Sequence, residues 1–137
     1  MSNKALIGLD VGEKRIGVAV VDLGVRIAVP LSAVEVDGTE ISVIESIVKL
    51  EGADTIVVGF PRNQKGEVTA QTKFVQDFAK KLEPIGVRVA FQDESLTSVL
   101  AEQRLIAHKK PYNKADIDSQ AASIILQDYV DNLHEKW

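Results

Sequence analysis

An α/β fold built on a mixed sheet is predicted by three features of the sequence. Three β-rich stretches come first, separated by short gaps. Two later β-branched runs alternate with helical periodicities, and the chain closes on two consecutive helical segments. The order is three β, then α, β, α, β, α, α. An antiparallel three-strand meander followed by βαβ-type crossovers gives a five-stranded mixed sheet, with two parallel strands and helices on its faces. No internal repeat, low-complexity tract or long linker divides the 137 residues, so residues 1–137 read as one domain.

Lys4 to Asp10 and Arg15 to Val21 read as two strands joined by Val11-Gly12-Glu13-Lys14, a hairpin-length gap containing glycine. A third β-rich stretch runs from Val25 to about Val36; Pro30 within it suits an edge strand. Ile41, Ile44 and Val48 follow at helical spacing, ending near Gly52. Thr55 to Gly59 is a continuous β-branched run, as expected of a strand covered on both faces. After a loop from Phe60 to Gly66, the stripe Val68, Thr72, Val75, Ala79 and Leu82 marks a second helix, with Phe74 and Phe78 at or near the core and Pro84 and Gly86 ending it. Val87 to Phe91 is the next strand. Helices over about Thr97 to Ala107 and Ala115 to Asn132 complete the chain, separated by a polar stretch from His108 to Asn113.

Composition narrows the chemistry. There is no cysteine and only two histidines, His108 and His134, which excludes disulfides, thiolate nucleophiles, Cys-type metal sites and a three-His zinc site. Oxygen ligands, carboxylates, hydroxyls and basic side chains remain. No signal-peptide pattern or spanning apolar run is visible, so a cytoplasmic protein without a membrane partner is expected. The formal net charge of −4 runs against a uniformly basic nucleic-acid coat, which makes the local distribution of charge decisive.

Three carboxylates stand out by position. Asp10 ends the first strand, Glu94 follows the strand Val87 to Phe91, and Asp118 lies near the start of the last helix. Strand carboxyl ends in an open α/β sheet form the ligand-binding rim. Asp118 shares a helical stripe with Ala121, Ala122 and Ile125, which turns it toward the sheet. Each residue alone has an ordinary explanation: a turn former for Asp10, a helix-start charge for Glu94, a cap for Asp118 or Asp116. Together they suit one or two hard divalent cations. Two such ions about 4 Å apart would activate a water for attack on phosphorus and stabilise the leaving oxygen. In the hairpin, Gly8 shares a strand face with Asp10 and is expected to leave open space there, while Lys14 and Arg15 are placed to meet a phosphate.

Four ordered motifs carry a resemblance that covers essentially the whole chain. They are Gly8-Leu9-Asp10-Val11-Gly12 with Lys14-Arg15-Ile16-Gly17-Val18-Ala19, the Gly59-Phe60-Pro61 turn, Asp93-Glu94-Ser95-Leu96-Thr97-Ser98, and Asp118-Ser119-Gln120-Ala121-Ala122 with Ile124-Ile125-Leu126. Together they resemble the bacterial family of Holliday-junction-resolvase-like proteins, also described as pre-16S rRNA nucleases. The resemblance implies an RNase H-like fold, Mg²⁺ or Mn²⁺ as cofactor, and Asp10, Glu94 and Asp118 as the metal-binding catalytic acids. One departure is Ser95, where the family often has arginine directly after the acidic pair, which removes a possible phosphate contact.

Basic residues are unevenly spread. Between Ala101 and Lys114, the cations Arg104, Lys109, Lys110 and Lys114 face a single acid, Glu102, with His108 and Tyr112 among them. Such a loop can be a solvated face or can hold a nucleic-acid backbone. Arg62, with Asn63 and Lys65, is a lesser candidate of the same kind. The leading expectation is a metal-dependent phosphodiesterase acting on pre-rRNA, at the 5′ end of pre-16S rRNA, or on branched DNA, as a monomer or a homodimer. A non-catalytic nucleic-acid or ribosome-assembly module is the second reading. A kinase-like ATPase is the third, disfavoured because 137 residues leave no room for a closing second domain.

Overall fold

A computed structural model describes residues 4–61, 70–94, 97–108 and 111–135, the side chains of 94, 97–99, 134 and 135 excepted. The first strand, β1 (Ala5–Val11), turns back through a hairpin into β2 (Arg15–Asp22), and β3 (Val29–Glu35) follows. Helix α1 (Glu40–Glu51) leads to β4 (Ala53–Pro61), α2 (Ala70–Lys81) and β5 (Arg88–Glu94), then to α3 (Thr97–Ala107) and α4 (Lys114–Glu135). The sheet has the order β3-β2-β1-β4-β5. The pairs β1–β2 and β2–β3 are antiparallel, and β1–β4 and β4–β5 are parallel, as the predicted meander and crossovers require.

Alternation along the strands divides the core between the two faces. Ile7, Leu9, Ile16, Val18, Ile56 and Val58 pack with Ile44 and Val48 of α1 and Val75 and Phe78 of α2. On the other face Leu6, Ala19, Val21 and Val57 meet Ala122, Ile125, Leu126 and Val130 of α4. Helix α3 rests on α4 through Ala101, Ala121 and Ile124 rather than on the sheet. β4 is buried along nearly its whole length, because it lies inside the sheet with both faces covered. Among the described residues no helix is long and apolar enough to cross a membrane.

Several boundaries differ from the sequence expectation for physical reasons. β4 runs two residues further at each end than Thr55 to Gly59, so Phe60 and Pro61 belong to the strand and not to a loop. β5 continues past Phe91 through Gln92 and Asp93 to Glu94, because parallel pairing with β4 continues to Pro61. The stretch 25–28 is not strand. Gln127 of α4 accepts the Ala28 N–H (2.8 Å) and donates to the Arg26 carbonyl (3.2 Å), and Arg26 takes a φ of 66°. Pro30 does lie in an edge strand, beside a register shift that leaves Leu31 unpaired. Phe78 is buried while Phe74 is 36% exposed. Val68, at the expected start of the second helix, lies outside the described residues.

Candidate active site

The parallel strands β1, β4 and β5 end at one rim, and Asp10 is the second-last residue of β1 there. Its register partner is Gly17 of β2, so the two positions share a face of the sheet. That face carries α4. A Cβ on Gly17 would run into the backbone carbonyl of Asp118 and come within 3.0 Å of Ser119 N. Only glycine lets the helix backbone approach so closely, and the approach sets Asp118 beside the strand pair that holds Asp10. Gly8 has the same relation to the next turns of α4: a Cβ there would lie 2.7 Å from Leu126 Cβ and 3.1 Å from the Ala122 carbonyl oxygen. The open space expected beside Gly8 is therefore filled by the helix.

The start of α4 is fixed by a reciprocal cap. Asn113 Oδ1 accepts the Asp116 N–H at 3.0 Å, and Asp116 Oδ2 accepts the Asn113 N–H at 3.0 Å. Asn113 is the N-cap and Asp116 the third helical residue, the spacing of a capping box. The cap at this helix start is thus Asn113 rather than Asp118, whose carboxylate is turned to a different partner.

That partner is Arg15, the first residue of β2. Its Nε–H donates to Asp118 Oδ2 at 2.7 Å, a short charge-assisted bond between side chains 28% and 25% exposed. The Asp118 hydrogen bond and charge hold the guanidinium more firmly protonated; desolvation opposes this and the Glu35 charge adds to it. In the sequence, Arg15 and Asp118 read as separate features, a phosphate contact and a metal ligand. The fold joins them across 103 positions, a link no local pattern reveals.

Glu94 closes β5 in register with Pro61, which brings its backbone to the same rim. Its side chain and Ser95 lie outside the described set, and among the described residues no three Asp, Glu or His side chains are grouped as a metal cage. Asp10 is half-buried and engaged in an interaction of its own. The donors at the rim are hard carboxylate oxygens, and a guanidinium already stands as a cation against one of them. This chemistry fits a hard divalent ion.

Of the candidate phosphate contacts, Lys14 is exposed in the hairpin turn and Lys114 is exposed at the first position of α4, so both border the rim. Arg104 is exposed on α3, where its charge acts on Asp128 of α4. Arg62, Lys109 and Lys110 lie outside the described residues.

Five strands in this order and pairing, with acids at the rim under a long helix, define an RNase H-like fold of the resolvase type. Thermus thermophilus RuvC in complex with a Holliday junction substrate superposes with a TM-score of 0.58 at 14% identity, over 95% of this chain and 96% of that one. The fowlpox virus resolvase in complex with Holliday junction DNA gives 0.54 at 13% identity, over 94% and 98%.

The sequence is more specific than the fold. Residues 4–132 match the family described as "RuvX: Holliday junction resolvase", and the chain belongs to it. A protein of Chloroflexus aurantiacus named "Putative pre-16S rRNA nuclease" is 44% identical over 96% of this chain and 89% of its own length. A protein of the same name from Synechocystis is 41% identical, over 96% and 90%.

Proposed function

We propose that this protein is a metal-dependent nuclease that hydrolyses phosphodiester bonds in structured nucleic acid, with the 5′ end of pre-16S rRNA as its substrate. The observation that carries this reading is the seating of Asp118 on Gly17, the register partner of Asp10. It puts two acids from opposite ends of the chain at one strand-end rim in a member of the RuvX family. Asp10, Glu94 and Asp118 are the catalytic acids and hold Mg²⁺ or Mn²⁺. When bound, the ion supplies Lewis acidity and a water of lowered pKa for attack on phosphorus. Lys14, Arg15 and Lys114 at the rim, with Arg62, Arg104, Lys109 and Lys110, hold and orient the phosphate backbone. An rRNA substrate places this work in the cytoplasm.

Branched DNA is the second reading, supported by the description of the matching family and by the junction-bound resolvases that share the fold. A four-way junction has two-fold symmetry, so its resolution calls for a symmetric homodimer, whereas one cut in an rRNA precursor asks only for a monomer.

The test is incubation of the purified full chain with a pre-16S rRNA fragment and with a four-way DNA junction, with and without Mg²⁺ or Mn²⁺. Cation-dependent cleavage of the RNA is expected, and its abolition by Asp10→Asn and Asp118→Asn. Preferential cleavage of the junction by a dimer would select the second reading. Salt-sensitive binding without cleavage of either would make the protein a binding module, and cleavage unchanged by Asp10→Asn would overturn the assignment of the site.

A further inference from the structure

We propose that Arg15 is an exchangeable counter-cation: it holds Asp118 while no divalent ion is bound and moves to a phosphate of the nucleic acid once an ion takes that carboxylate. This rests on the metal-dependent reading of the site above.

Acids set close together at a rim repel unless a cation lies among them. At Asp118 that cation is Arg15, on which the Glu35 charge also acts. Its bond to Asp118 is short and charged, yet each side chain keeps about a quarter of its surface in solvent, so water screens the pair and can replace either partner. The contact is made through Nε. The four Nη protons belong to a planar fork whose geometry matches phosphate oxygens as well as carboxylate.

The backbone under Arg15 is fixed independently of the side-chain bond to Asp118. Gly12 N–H bonds to the Arg15 carbonyl (3.0 Å) across the hairpin turn, and Arg15 pairs in register with Glu35 of β3. A released guanidinium therefore stays at the rim, beside exposed Lys14 and near the start of α4. One residue then links the two occupancies: release from Asp118 lets the guanidinium turn its fork to a phosphate at the time the site gains its cation.

The direct measurement is the Nε–H resonance of Arg15 in the full-length protein, followed by ¹H–¹⁵N NMR during a Mg²⁺ titration. Without Mg²⁺ the resonance is protected from exchange with water, and Asp118→Ala removes the protection. Saturating Mg²⁺ shifts the backbone amides of Asp10 and Asp118 and raises Arg15 Nε–H exchange to the level seen in Asp118→Ala. Amide shifts with Arg15 Nε–H unmoved overturn the exchange and leave the metal-dependent reading intact. Failure of Mg²⁺ to move any amide at the rim overturns both. Calorimetry gives a second readout: Arg15→Gln binds Mn²⁺ roughly fivefold more tightly, because no side chain has to leave, and an unchanged or weaker affinity contradicts the proposal.

Discussion

Two glycines and one asparagine decide where Asp118 stands. Gly17→Ala forces a Cβ into the Asp118 carbonyl, so the first turns of α4 must lift from β2. The expected loss is about 1–3 kcal/mol or more in urea denaturation, the range for overpacking a filled core. Cation-dependent cleavage should fall with it, since the displaced residue is a proposed ligand. Gly8→Ala meets Leu126 Cβ at 2.7 Å and should cost a similar amount in stability, but further along the helix and with a smaller effect on cleavage. Asn113→Ala acts differently. It opens the reciprocal cap with Asp116 and should cost about 1 kcal/mol in the same denaturation experiment. The N-x-x-D pattern of this cap stands in the sequence, although the acids there draw the reading of a cap to Asp116 or Asp118 instead of Asn113. The tolerance of Gly17 for a helix backbone is not, because it depends on which element crosses over it.

At the scale of elements, strands and helices were legible wherever burial alone decides them. The run Thr55 to Gly59 reads as an interior strand because both of its faces are covered, and Ala122 and Ile125 read as a stripe on the sheet because they are one, whereas Ala121 of the same expected stripe packs on α3 instead. Elements ended by a distant partner were less legible. Residues 25–28 have strand-like composition, yet Gln127 holds them as a loop against α4. Gln127→Ala should leave the helix intact and raise amide hydrogen exchange at Ala28 by at least about fivefold, the equivalent of about 1 kcal/mol for the lost bond. At the next residue, desolvation and then the Asp131 charge push the Asp128 carboxyl up, while Arg104 opposes them. Its proton is thus held more tightly in the folded than in the unfolded chain, so stability declines as pH rises from about 3.9 through the folded-state value, and stays reduced at neutrality. Asp128→Asn should therefore raise Tm at pH 7, with the gain vanishing in melts recorded below about pH 3.5.

For the molecule as a whole, the charge balance of −4 is a poor guide to its partner, because bases are unevenly spread, with four of them against one acid between Ala101 and Lys114. Asp10 and Asp118 could be singled out in the sequence since each ends or begins an element at a predictable rim. Their ion-pair chemistry could not, since Arg15 and Asp118 stand 103 positions apart and meet only once the intervening chain has folded. The exposed cations beside the rim make a prediction about binding. If Lys14 and Lys114 border the nucleic-acid path, each neutralises one phosphate and releases about one counterion, while Lys49 on α1, already close to Glu45, does not. In an Asp10→Asn background, which keeps the substrate intact, affinity should be measured against salt concentration. The log–log slope should fall in magnitude by about 1 for Lys14→Ala and for Lys114→Ala, and remain unchanged for Lys49→Ala. Slopes for Lys14→Ala and Lys114→Ala unchanged from the Asp10→Asn background would mean that the cations at this rim do not contact the backbone, and that nucleic acid approaches the protein along another face.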